Sequence, residues 1–501
     1  YEVMHFFPIG HWLSKFLDTY IGQKTIISFH PTGVAQKAHG PLKKVADLLL
    51  FWPRLMSTLK RAKKRLDRFE PEFYRQRASW RTRSDVRGTA KSHLDTLQDL
   101  FRFVDNHWGP PVSADLKVMV STGLLEVLAG RWISKDVNAL MAKMMQGIEV
   151  KSTEPSKLIW SMSRMIKKDE GLLRLLKDGN YDAIEQALHE EQRSLLFSFM
   201  EDFGGRCYHD CMIIFPTFEE RHDLFWDLVK SYATAPENSS KEWNRDAADE
   251  REQYVKDCLK SLSFWKRFVF KQVLLSAQKA TGLRERGRLL QSLLFGEFRR
   301  VALGLGKHLA QKDHLQHAED IFYLQLAEIR DLVEGKFQFP ETVSEIVRLR
   351  KKAYAEAEDA EPPEFFLTER GAYYKTDHVF EQGPATCSLR GIGVSGGKIV
   401  GKVKVILDPA SGHALQHGDI LVTRTTDPGW TPLFFIAGGL ILEKGGMLSH
   451  GAIVAREFGI PAIVDMQRAT EILKDGEMIE IDGTAGTVTL LHEQKESNVH
   501  V

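Results

Sequence analysis

The period of the apolar pattern changes near residue 388, and that change narrows the folds open to this chain more than any other feature of it. Before it, apolar residues recur three and four apart, as in Leu97, Leu100, Phe101 and Val104 and again in Leu124, Leu125, Val127 and Leu128, the spacing of amphipathic helices. After it the apolar runs are short and punctuated by glycine. Val403, Val405 and Leu407 alternate with Lys402, Lys404 and Ile406, Gly418-Asp419 leads into ILVTR, and a buried run spans Gly438 to Glu443. Strands around Ile479 to Ile481 and Val488 to Leu491 close the pattern about the Asp482-Gly483 turn. The expected fold is multidomain: a large all-α domain followed by a small α/β domain.

The expected boundaries are 1–353 for the helical domain, 354–387 for a linker rich in charge, proline and glycine, 388–491 for the α/β domain and 492–501 for a polar tail. As a flexible coil, a linker of that length reaches on the order of 30 Å, enough to let a small domain travel between sites. The pattern from Leu42 to Phe73 is largely helical, Val45 to Met56 is expected to be a buried helix and its end, and Trp12 to Tyr20 is expected to form a short helix.

Composition removes several classes of function. A net charge of +1 argues against a globally basic nucleic-acid binder, and four cysteines in 501 residues are too few for a disulfide framework. No stretch approaches the ~20 apolar residues that cross a bilayer, and the start of the chain lacks the layout of a signal peptide. A cytoplasmic protein with no nucleic-acid or membrane partner is expected. The chain opens on Tyr1 rather than methionine, so a fragment or processed piece is expected.

One basic stretch needs its own account. Between Lys60 and Lys91 lysines and arginines crowd the chain, interleaved with Phe69, Tyr74 and Trp80. Such a stretch can hold RNA or phosphates, form a docking surface, or be a solvated helix face. The interrupting Asp67, Glu70, Glu72 and Asp85 favour the last.

The stretch Glu443 to Val464, EKGGMLSHGAIVAREFGIPAIV, holds a single histidine, His450. A glycine pair precedes it, and a helical pattern follows through Ile453, Val454 and Phe458 until Gly459 and Pro461 stop it, so His450 is expected at a helix start. The unpaired N–H groups and positive dipole end of that first turn favour an anion and disfavour imidazolium, leaving the ring neutral and nucleophilic. A histidine that merely caps a helix is the plainer alternative.

The run Gly445, Gly446, Leu448 to Ala455, Arg456, Glu457, and Gly459 to Ala462 resembles the phosphohistidine signature of PEP-utilising swivelling domains. Upstream, Thr426 to Leu433 resembles a second block of that domain, in the version found in rifampin phosphotransferase-like enzymes, which are related to phosphoenolpyruvate synthase. The resemblance implies that His450 is phosphorylated by an ATP-binding domain and carries the group to an acceptor, at Nε2 or Nδ1. Ser449 and the backbone near Gly451 are the candidates to stabilise the phosphoramidate. Arg456 either joins them or makes an ordinary salt bridge.

The segment Phe199 to Arg221 similarly resembles the acceptor-binding helical domain of that family, through Phe203, Gly204, Arg206 and Pro216. It departs from the family pattern where Gly205 stands for a histidine, Cys207 for a glycine, Asp210 for a glutamate and Met212 for an aspartate. Arg206 carries over as an anion contact, with His209 and Asp210 as acid and base candidates. Arg284, Glu285 and Arg288 match an Arg-Glu block of the same domain, with roles divided between packing and acceptor-site electrostatics. Cys207, His209 and Cys211 lack the fourth ligand of a structural zinc site, so no metal is expected there.

The expected function is therefore a phosphotransferase in which His450 passes a phosphoryl group to a small-molecule acceptor. ATP and Mg2+ are expected on an ATP-binding domain, in cis or in trans, that this chain lacks, so the chain alone is expected to be inactive with ATP. The alternatives are part of a phosphoenolpyruvate synthase or pyruvate phosphate dikinase-like enzyme, and a non-catalytic helical interaction protein that retains a swivel domain.

Overall fold

The computed structural model describes residues 41–85, 88–148, 151–207, 212–234, 245–358, 389–447 and 449–491. The helix expected at Trp12 to Tyr20, most of the linker, the polar tail, His209, Asp210 and Cys211 lie outside the described residues. The chain forms two compact units, one from residues 1–117 and 294–385, the other from 118–293 and 386–501.

In the first unit the helix Pro41–Arg83 takes in the whole helical pattern of Leu42 to Phe73 and runs unbroken through Pro53 and past Met56, where the sequence suggested a helix end. Helix geometry tolerates one lost N–H bond when the rest of a long helix is maintained. Among the described side chains of this helix, three aromatic residues face the core. Phe69, Phe73 and Trp80 are buried against Phe103 and Trp108, with ring centroids 5.1 to 6.3 Å apart. Two of its arginines are consumed within the fold: Arg77 Nε and Arg81 Nε donate to the buried Glu297 at 2.9 and 2.6 Å, and Arg300 Nε completes the carboxylate's shell at 2.8 Å. The three guanidinium groups hold the Glu297 carboxyl below its usual range against the opposing effect of burial. Gly109 and Pro110 open the next helix, Gly109–Trp132, immediately after Trp108 caps Ala90–His107.

The second unit contains the helical segment and the α/β part together. Leu125, Ala129, Leu140, Met141, Met144, Leu259, Phe270 and Leu274 form one core among its helices, and Met447 packs on that core from the α/β part.

The α/β part is a seven-stranded sheet in the order β1-β5-β4-β3-β2-β6-β7. The strands are β1 (Ile392–Ser395), β2 (Lys398–Val405), β3 (Ile420–Thr423), β4 (Gly439–Leu442), β5 (Ala462–Val464), β6 (Met478–Asp482) and β7 (Thr487–Leu490). β2 to β5 pair in parallel and the outer pairs are antiparallel. β3, β4 and β5 are buried at every position, as strands covered on both faces must be.

One local expectation is corrected. The alternation read through Leu407 ends at Val405, after which Ile406 turns inward, its N–H donating to Val422 O at 3.0 Å, and Leu407 is left 56% exposed. Asp427 accepts the Gly429 N–H at 2.8 Å and so closes the turn Pro428–Trp430, while the helix Thr431–Ile436 starts without a side-chain cap.

Candidate functional site

The site grows from the carboxyl ends of two neighbouring parallel strands. The crossover from β3 to β4 contains the helix Thr431–Ile436, and the crossover from β4 to β5 contains the helix His450–Phe458. Ser449 is the N-cap of the second helix, its hydroxyl accepting the Ala452 N–H at 3.4 Å, so His450 is the first helical residue. Gly459, at φ 65°, ends the helix in the left-handed conformation that glycine adopts without a Cβ penalty.

His450 is partly buried. Its Nε2 lies 3.1 Å from Thr431 Oγ1, and the Phe434 ring lies nearly parallel to it at 6.2 Å. Burial holds the imidazole well below its usual pKa, and the charges of Arg206, Arg284 and Arg288 push it further down. The ring is therefore neutral at neutral pH and keeps a lone pair for nucleophilic attack. The cations that repel a proton from it attract an anion to the same place.

These three arginines come from two elements. Arg206 is buried just beyond the helix Glu190–Phe203, where Cys207 bridges to Thr217 and the Phe218 N–H donates to Arg206 O at 2.9 Å. Arg284 and Arg288 stand one turn apart on the helix Phe264–Ala310, and Glu285 beside them is buried.

Arg456 does not reach the imidazole. It is buried, with Nε donating to Ala452 O at 2.8 Å and a terminal nitrogen donating to Met447 O, which braces the loop that leads into His450. Burial lowers its pKa to about 10, against the favourable charge of Glu457. Gly451 is buried where a Cβ would stand 2.6 Å from both Leu442 Cδ1 and Thr426 Oγ1, so its contribution is close packing of the first turn.

The structure thus brings His450 together with Arg206, Arg284 and Arg288, all named in the sequence reading, adds the contact with Thr431, and buries Glu457 on the same helix as His450. Arg288 was legible as the helical i+4 neighbour of Arg284. Thr431 belonged to the upstream block but carried no sign of its contact with the ring. Glu457 belonged to the histidine block but carried no sign of its burial, since an acidic residue near a helix end is ordinarily exposed. Here Glu457 is 2% exposed, and burial raises its carboxyl to about 8, with Glu285 pushing it up and the Ile148 N–H, Arg456 and Arg251 pulling it down.

Comparison with known proteins separates these two layers of the site. Residues 415–486, which include His450, match the PEP-utilising enzyme mobile domain. Residues 112–285, which include Arg206 and Arg284, match the rifampicin phosphotransferase fourth domain. The two matches fall on separate stretches of the chain, one helical and one in the α/β part. The chain is 31% identical over 310 residues to a rifampicin phosphotransferase of Streptomyces sviceus, covering 60% of this chain and 35% of that protein. A Bacillus cereus rifampicin phosphotransferase is 30% identical over 309 residues, with the same coverage. An uncharacterised phosphotransferase of Bacillus subtilis, YvkC, is 26% identical over 416 residues, 80% of this chain and 50% of its own length. The chain spans about a third of the length of the two rifampicin phosphotransferase-like relatives. Among the described residues no helix is long and apolar enough to cross a membrane.

Proposed function

We propose that this chain is the carrier and acceptor portion of a phosphotransferase, with His450 as the phosphoryl carrier and the helical segment 118–293 as the acceptor-binding part. The observation that supports this most directly is the convergence of Arg206, Arg284 and Arg288 on a neutral imidazole. In the first step the imidazole lone pair attacks a phosphorus of the nucleotide donor's polyphosphate chain, with ATP and Mg2+ held by a donor domain. The P–O bond to the leaving nucleotide breaks and the ring's proton is released. In the second step an acceptor hydroxyl attacks the same phosphorus, the P–N bond breaks, and the hydroxyl proton ends on the imidazole. Positioning and charge neutralisation dominate such transfers.

Thr431 orients the ring through its hydroxyl, Ser449 shapes the helix start, and the three arginines offset the charge of the phosphoryl group beside the acceptor. Glu285 belongs to this acceptor wall, while His209 and Asp210 remain acid and base candidates by their place in the sequence. The acceptor is a small molecule bearing a hydroxyl. The altered block from Phe203 to Met212 makes an acceptor other than rifampicin the expectation, since sites are specified by residues rather than by fold. The helical segment, a linker at 354–387 and the α/β domain at 388–491 provide the carrier with its two stations.

The test is labelling with radioactive ATP in a version of the protein extended by its donor domain. Acid-labile, base-stable phosphate should appear and should be lost in His450→Ala. An active extended enzyme that acquires no such label would rule out the carrier role.

A further inference from the structure

The six-residue helix Thr431–Ile436 has two occupied faces. Residues three apart on a helix share a face. Thr431 and Phe434 form one such pair, and both meet His450. Pro432 and Phe435 form the other, and both meet the helical segment, Phe435 also reaching the Phe458 ring of the histidine helix at 6.4 Å. The buried hydroxyl of Tyr232 donates to Pro432 O at 2.7 Å. The ring of Phe435 lies 4.4 Å from that of Tyr232 and 4.9 Å from that of Trp160. Arg164 holds this aromatic pair in place, its guanidinium 3.6 Å from the Trp160 ring and one nitrogen donating to Tyr232 O at 3.1 Å.

We propose that this helix is a docking sensor: Tyr232 and Trp160 grip it by Pro432 and Phe435, and its opposite face transmits that grip to His450 through Thr431 and Phe434. Tyr232 is then a positioning residue. It touches no reacting atom, yet it fixes the backbone one residue from the hydroxyl that orients the imidazole. Pro432 suits the task, because its ring fixes φ at the first turn of the helix and leaves the carbonyl as the handle. A helix this short has little internal stability, so its placement is set by what it packs against. This rests on the carrier reading, for which it supplies a reason that transfer begins only after the α/β domain is seated on the acceptor-binding helices.

The experiment records 15N-histidine spectra of the 501-residue chain, with the His450 signals identified by their loss in His450→Gln. In the unaltered chain His450 should show one dominant tautomer. Tyr232→Phe removes only the hydroxyl, and Phe435→Ala removes the other contact. Each should bring the two ring nitrogens toward an average, and Phe435→Leu should restore much of the original spectrum. Glu297→Gln, which weakens the first unit, should leave the His450 signals in place and so separates coupling from general destabilisation. In the extended enzyme, Tyr232→Phe should slow discharge of His450 to the acceptor by about tenfold while loading from ATP is unchanged.

Unchanged His450 signals in both Tyr232→Phe and Phe435→Ala would overturn the sensor. Equal slowing of loading and discharge would do the same. If the extended, unaltered enzyme places no phosphate on His450, the carrier reading fails while the spectra still decide the coupling.

Discussion

Glu457, on the histidine helix, and Glu285, on the Phe264–Ala310 helix, are both buried, and the charge of the second adds to burial in raising the first. Because burial and this neighbour lift Glu457 from 4.5 to about 8, the native arrangement binds a proton that the opened chain releases. Native stability from this group is therefore full below the ordinary carboxylate pKa. It falls as pH rises from there toward 8, at up to about 1.4 kcal/mol per pH unit. Glu457→Gln should flatten that decline. Melting temperatures across the range from about pH 6 to about pH 9 check it, and identical slopes for both proteins would rule it out.

The imidazole shift has the opposite sign. His450 is held below its ordinary value by burial and by Arg206, Arg284 and Arg288, so protonation below about pH 6.5 favours the opened chain. Replacing Arg284 by Gln should move the acid limb of His450 phosphorylation to higher pH. It should also lower the transfer rate by about ten- to a hundredfold, the scale of losing one charged contact at a phosphoryl site. A pH–rate profile with unchanged acid limb would contradict the electrostatic role.

Gly451→Ala should destabilise the second unit by about 1–3 kcal/mol, because the new methyl group has no space between Leu442 and Thr426. Gly446→Ala is the control, since nothing lies within 4 Å of a Cβ at that position. Denaturant unfolding of the two variants should separate them clearly.

Glu297→Gln removes the charge shared by Arg77, Arg81 and Arg300. Breaking a buried ion pair on one side costs about 3–5 kcal/mol. The variant should lower the unfolding midpoint of the first unit and make it more susceptible to proteolysis. A midpoint matching that of the unaltered chain would show that the cluster contributes little.

The fold class and the histidine helix were legible because each rests on local chemistry: apolar period, a serine N-cap, and a glycine in the left-handed conformation at the end. The strands buried on both faces, β3 to β5, were legible as short apolar runs. What escaped the sequence depends on long-range approach. Thr431 is nineteen residues from the ring it touches, and Arg456 points back at Met447 O rather than outward. The raised carboxyl of Glu457 arises from burial against residues more than a hundred positions away in the chain, Glu285 among them. The basic stretch was read as a solvated face, yet Arg77 is 3% exposed because its partner, Glu297, lies 220 residues further on.

The parallel register of β3 and β4 pairs Thr423 with Leu442, so the crossovers bearing Thr431 and His450 leave adjacent points on one edge of the sheet. The hydroxyl and the imidazole are thus components of a single cartridge. Guanidinium groups supplied by the helical segment belong to a socket into which the cartridge fits. If His450 is the carrier proposed above, a phosphoryl group on the ring would take its orientation from the cartridge and its charge balance from the socket, so the acceptor could change while the carrier stays the same.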